Sequence, residues 1–246
     1  MLIDQFAHAM KVRRSNTRPK PKRLSLGMSM IELLVGVAIG LFILAGASAM
    51  FVGNVTNSRR LLLEAQINQD LRSTMDLVTR DLRRGGYWGN SLAGTLATGS
   101  GSTTALNPYS VITRTGLTQI DYAYTRDATE NNALNAGTEQ FGFKLDTTTN
   151  SVQMNSGGSW QTLTNSDILT INTFSIAPTE TTLDIRASCA KTCIDANPAL
   201  PNCPRIQVRS YDILLTGTSK TDAAVSRTLI SQVRVRNDSM LGGCPA

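Results

Sequence analysis

The chain has 246 residues, room for one sizeable globular domain with an appendage but not for two full cores. Its formal charge of +6 invites a nucleic-acid reading, yet seven of the 24 basic residues (Lys11, Arg13, Arg14, Arg18, Lys20, Lys22, Arg23) and one of the 18 acidic ones (Asp4) lie in residues 1–27. The remainder, with 17 of each sign, is formally neutral, so no nucleic-acid partner is expected. The only histidine, His8, also lies in 1–27, which excludes triad and His-ligated metal chemistry downstream.

After this basic segment comes an apolar stretch in which Leu33 to Ser58 contains no charged residue. As a helix, these residues reach about 39 Å, enough to cross a hydrocarbon core of about 30 Å. The cations on one side predict that residues 1–27 face the cytoplasm and the rest lies outside. Two other readings fit the same hydropathy. One is an ordinary secretory signal cut near Ala47-Ser48-Ala49, leaving a soluble periplasmic protein; the other is an unprocessed single-pass anchor. Neither accounts for Glu32, a carboxylate placed one residue before the apolar run, where an acid is costly and by default marks function. Its structural explanation is a capping box: Ser29-Met30-Ile31-Glu32 allows reciprocal side-chain to backbone bonds at a helix N-terminus, which also favours negative charge.

Leu26-Gly27-Met28-Ser29-Met30-Ile31-Glu32-Leu33-Leu34 resembles the leader junction of type IV prepilins. The resemblance implies cleavage by a membrane prepilin peptidase between Gly27 and Met28, methylation of the new N-terminus, and a role for Glu32, the fifth mature residue, in assembly. Met28 replaces the usual Phe, and the proline often found in the membrane half of the helix is absent. Gly36 and Gly40 are spaced to permit close helix approach.

Helical periodicity continues beyond the apolar run. Ile67, Leu71, Met75, Val78 and Leu82 line one face and predict packing against a head. Asp76 and Arg80 stand at i, i+4 in the favourable order, Arg80, Arg83 and Arg84 suit the negative end of the helix, and Gly85-Gly86 end it. One helix over Ser29–Arg84 follows. The run Arg84-Gly85-Gly86-Tyr87-Trp88-Gly89 resembles the segment after the helix in PilW-type minor pilins, and Tyr87 and Trp88 are expected to bury their rings beneath the head.

Residues 91–107, rich in Gly, Ser, Thr and Ala, read as a long loop. Strand character follows at Ser110–Arg114, Leu117–Thr125, Gln140–Leu145, Ser151–Met154, Ile168–Ile176, Thr182–Ala187, Arg205–Leu215 and Leu229–Arg236. The last two are predicted to form a hairpin across the polar connection Thr216–Arg227. Asp121 and Asp127 read as solvated turn acids. Cys189, Cys193, Cys203 and Cys244 allow three disulfide pairings. Cys193 with Cys203 would close a Pro-containing loop and leave Cys189 to tie the tail through Cys244. Their spacing does not match a paired C-x2-C zinc site.

The expected fold is α+β: one long N-terminal helix packed on an antiparallel β-sheet head. Four segments are expected: a leader over 1–27 that is removed, the transmembrane half of the helix over 28–58, its amphipathic half and stop over 59–89, and a periplasmic head over 90–246. The resemblance implies a minor pilin that acts in pilus assembly, with no catalytic residues, metal or cofactor. Its implied partners are the prepilin peptidase, the inner-membrane assembly platform, the membrane, and other major and minor pilins. It would sit in the inner membrane and then in a surface filament. A minor pseudopilin of a type II secretion system shares the junction and the long helix.

Overall fold

The computed structural model describes residues 27–94, 106–127, 129–194 and 203–244; the basic segment and most of the Gly/Ser/Thr-rich loop lie outside the described residues. Helix α1 spans Met30–Leu82. The chain divides after Gly53. From Gly27 to Gly53 every side chain is exposed, so no apolar group of this segment is covered. It holds the one helix segment among the described residues that is long and apolar enough to cross a membrane.

In the second unit, the stripe Ile67, Leu71, Met75, Val78 and Leu82 is buried, as its helical spacing predicts. Each large apolar side chain covered in this way contributes about 1.5–3 kcal/mol. The stripe packs against an antiparallel head. Its first sheet is a meander, β1 (Thr113–Thr115), β2 (Gln119–Ala123), β3 (Gln140–Asp146), β4 (Ser151–Ser156) and β5 (Ser159–Thr162), hydrogen-bonded in that order. A second sheet has the order β10-β9-β6, from β6 (Leu169–Pro178), β9 (Ser210–Ser219) and β10 (Ser226–Arg234). The third joins β11 (Ser239–Leu241), β8 (Arg205–Val208) and β7 (Thr181–Asp184) in the order β11-β8-β7.

The core lies between α1 and the first two sheets, where Tyr122, Phe141, Phe143, Phe174, Ile213 and Val233 meet the helix stripe. Close approach at Gly217 is obligatory: a Cβ there would lie 2.7 Å from Leu169 Cδ1 and 3.1 Å from Leu71 Cδ2. Polar ties fix the lower end of the contact. Arg227 Nη2 meets Glu64 Oε2 at 2.7 Å, and the Asn165 N–H donates to Asp70 Oδ2 at 3.1 Å.

Several local expectations are corrected. The run Arg205–Leu215 is two strands in different sheets, interrupted at Arg209, whose side chain is buried. Half of the polar stretch Thr216–Arg227 is strand: Thr216 pairs with Thr228 and Thr218 with Ser226, so its hydroxyls form an outward ladder and the turn proper shrinks to 220–225. Asp121 lies in β2, where its carboxylate accepts from Gln119 Nε2 at 2.7 Å. Asp76 and Arg80 form no ion pair; the last-turn pair is Asp81 with Arg84 at 3.9 Å.

Candidate functional site

Gly27, Met28 and Ser29 precede the helix without regular structure. Around Gly27, no atom of the described residues beyond its chain neighbours lies within 4 Å of the position a Cβ would take, and Met28 is 69% exposed, so no described residue covers the peptide bond between them. Glu32 stands exposed in the first turn of α1. The side-chain bonds of a capping box are not formed; the backbone N–H of Leu33 donates to the Ser29 carbonyl at 3.1 Å. The carboxylate is therefore not consumed by capping, and it heads a helix whose following residues are apolar and uncovered. Such a surface is compatible with a membrane-spanning helix.

At its other end, α1 is locked to the head. Asp81 is buried and accepts from the Tyr122 hydroxyl at 2.5 Å and the Tyr124 hydroxyl at 3.0 Å. Burial, with the charge of Asp81 next, pushes both tyrosine hydroxyls above their usual range. The carbonyls of Thr79, Asp81 and Leu82 accept from the N–H groups of Arg83, Arg84 and Gly85 in the turn that closes the helix, and carbonyls just beyond it are taken by the head. The Arg83 carbonyl accepts from the Arg236 N–H at 3.1 Å, that of Gly85 from Asn237 Nδ2 at 3.2 Å, and that of Gly86 from Asn107 Nδ2 at 2.9 Å. Arg209, 4% exposed, donates to the Ser110 and Asn237 carbonyls at 2.5 and 2.7 Å, which binds the strand ends around the helix stop.

The segment after the helix docks by polar contacts as well as by its rings. Trp88 is buried with Tyr109 and Ala123, and its indole N–H donates to Asn132 at 3.1 Å. Tyr87 is half exposed, against expectation, because its backbone makes the contact: the Tyr87 carbonyl accepts from the Thr125 N–H at 2.9 Å. Beneath lie two carboxylates. Glu139 is fully buried and accepts from the Arg126 and Asn135 N–H groups and from the Tyr109 hydroxyl. Glu130 accepts from Thr125 and the Asn132 N–H, and the single Tyr109 hydroxyl proton is shared between Glu130 and Glu139. Partial desolvation opposes ionisation of Glu130, but these hydrogen bonds prevail and lower its pKa. Both acids are held by donors from several loops, an arrangement that anchors those loops. Among the described residues, no group of three or more His, Cys, Asp or Glu side chains converges.

The cysteines form a separate cluster. Cys189 is bonded to Cys244 and Cys193 to Cys203, across 55 and 10 residues of sequence. Nearby, Arg186 holds the carboxyl of Asp184 down at about 2. Cys189 and Cys193 follow β7 in the chain, Cys203 precedes β8 and Cys244 follows β11, so Cys189–Cys244 ties the segment after β11 to the segment after β7. Of the residues singled out by sequence, Gly27, Met28 and Glu32 thus share one short segment, and the four cysteines share another region.

A single apolar helix continuing into an α+β head whose sheets cover one face of its second half defines the pilin-like class. The family profile described as prepilin peptidase-dependent protein B matches residues 60–235, well over half of the chain and entirely downstream of the junction. The chain belongs to this family. It is thereby a pilin-like, prepilin peptidase-dependent protein of a structural rather than an enzymatic family, and its apolar helix is compatible with single-pass anchoring. No curated protein and no solved structure matches it.

Proposed function

We propose that the chain is a minor pilin of the PilW type, an assembly or tip subunit of a type IV pilus. The observation that carries this reading is the open Gly27-Met28 bond followed by an uncovered apolar helix with a lone uncapped acid in its first turn, on a chain whose residues 60–235 fit a prepilin peptidase-dependent family. Prepilin peptidase cuts after Gly27, Met28 becomes the methylated N-terminus, and residues 28–58 hold the protein in the inner membrane with the head over 90–246 in the periplasm. The assembly platform then moves the helix from lipid into a bundle formed with other major and minor pilins. There Glu32 offsets the N-terminal amine of a neighbour, an ion pair that compensates for the cost of a carboxylate among apolar helices.

The mass and N-terminal sequence of the mature protein test the proposal. It requires a chain beginning at methylated Met28, whereas a start at Met50 would mean signal-peptide cleavage. Loss of surface pili on deletion of the gene, with type II secretion intact, assigns the filament; the reverse phenotype makes the protein a pseudopilin.

A further inference from the structure

Strand β10 is a free sheet edge, and its hydrogen-bond register can be followed residue by residue. Bonds from the Ser219 N–H to the Val225 carbonyl and from the Val235 N–H to the Arg209 carbonyl, both 2.9 Å, bracket its pairing with β9. They place odd-numbered residues of β10 in the bonded pairs. The N–H and C=O groups of Thr228, Ile230, Gln232 and Arg234 therefore point away from β9. The next group in that outward series, the N–H of Arg236, bonds the Arg83 carbonyl at the end of α1, which confirms the alternation. Between Ser226 and Arg234 no second strand lies beside β10 among the described residues.

Free edges are ordinarily blunted by prolines, bulges or charges. β10 has no proline, its register with β9 is unbroken, its arginines stand near its two ends, and its central residue, Ile230, is 78% exposed. Beside its C-terminal end lies a groove of about 590 Å³ lined by Arg83, Gln232, Arg234 and Arg236. Arg234 is paired with Asp238 at 3.1 Å, while Arg83 and Arg236 are exposed and form no ion pair among the described residues.

We infer that β10 is a strand-addition site that accepts an extended acidic segment of another polypeptide, with its backbone on Thr228–Arg234 and its carboxylates at Arg83 and Arg236. A second copy of β10 fits poorly. Arg227 touches Glu64 and Arg236 touches Arg83, so β10 runs alongside α1 in the same direction. Antiparallel β10 pairing would make two α1 helices run oppositely, and it would leave the arginine groove without an anion. The source of the segment, a neighbouring subunit, and the objection to oppositely running helices rest on the pilin reading; the edge register and the arginine groove do not.

The test uses the full chain in detergent micelles and a fluorescent nine-residue peptide of alternating Thr and Val with glutamates in its N-terminal third, which antiparallel pairing brings opposite Arg234. Its lysine counterpart and a fully N-methylated analogue, which keeps the charge but has no amide N–H, are the controls. The glutamate peptide should bind at least tenfold more tightly than either. Ile230→Pro removes an outward N–H without breaking a β9 bond, and Arg236→Glu reverses the groove charge; each should weaken binding tenfold or more. Equal binding of the N-methylated analogue on the unaltered protein would reduce the site to simple charge attraction and overturn the inference. So would failure of the glutamate peptide to bind. A mature start at Met28 combined with failed peptide binding removes this site alone, while a start at Met50 with peptide binding removes only the pilin reading.

Discussion

The Tyr122 hydroxyl lies 2.5 Å from Asp81 Oδ2, a bond that joins the last turn of α1 to the second strand of the head. Asp81 sits at the negative end of its own helix, an unfavourable place for an acid. Two tyrosine hydroxyls, with Arg84 at 3.9 Å, compensate for that location and for burial. Hydrogen bonds to charged groups are worth about 1.5–3 kcal/mol. Tyr122→Phe should therefore destabilise the head by about that amount, and Asp81→Ala by more, since it leaves both hydroxyls unpaired. Urea denaturation of the full chain in detergent measures this; unchanged midpoints would show that the contact is incidental.

Burial and this pair make Tyr122 one contributor to the alkaline behaviour, beside the buried hydroxyls of Tyr109, Tyr124 and Tyr211. The folded pKa of Tyr122 lies above its ordinary value of 10.0, so the folded state holds this proton where the unfolded chain releases it. Its contribution is complete below about pH 10 and is lost as pH rises from there toward the folded pKa. Stability measured from pH 9 to 11 should fall, and Tyr122→Phe should flatten the fall. An equal slope in the variant would show that other groups set it.

Gly86 turns the chain away from α1 with φ at +74°, and a Cβ there would lie 2.9 Å from Arg209 Nη2. Left-handed strain and the push on a buried guanidinium act together. Gly86→Ala should lower stability by more than about 1 kcal/mol, whereas Gly116→Ala, with positive φ but open space around it, should cost less. The two thermal midpoints decide; equal losses would exclude a role for the Arg209 contact.

The long helix was legible because its burial stripe repeats at helical spacing, and the β9–β10 hairpin because its inner residues are large and apolar. β5 and β11 escaped notice, with four and three residues and exposed faces that carry almost no alternation. The extent of β9 and β10 was hidden by Thr216, Thr218, Ser226 and Thr228, which make an outward ladder look like a loop. Asp81 left one readable trace, a carboxylate three residues after Val78 on the buried stripe. Its partners Tyr122 and Tyr124, 41 and 43 residues away, could not be inferred from local pattern. The buried Glu139 gave no signal, because its donors are mainly backbone N–H groups that only the fold brings together.

The two disulfides should contribute unequally. By loop-closure entropy, a bridge across 55 residues stabilises by roughly 4 kcal/mol and one across 10 by roughly 3. Replacing Cys189 and Cys244 by serine should lower the midpoint more than replacing Cys193 and Cys203. It should also expose the last residues to protease, since that bridge holds the tail. The opposite ranking would place the main constraint in the short loop.

Glu32 separates the two explanations of an acid at the head of an apolar helix. A glutamine retains the hydrogen-bonding capacity of a capping box and removes only the charge. If the carboxylate pairs with a neighbouring amine inside the bundle, Glu32→Gln leaves that amine buried and unpaired, at a cost of about 3–5 kcal/mol. Incorporation into filaments should then fall by about a hundredfold or more, equally for Glu32→Gln and Glu32→Ala, with cleavage after Gly27 unaffected. Gly27→Phe should instead abolish cleavage and leave a precursor heavier by the leader. Immunoblots of sheared filaments and membranes read both steps. Full assembly of the glutamine variant with loss in the alanine variant would assign Glu32 to capping, and a processed Gly27→Phe protein would remove prepilin peptidase from the account.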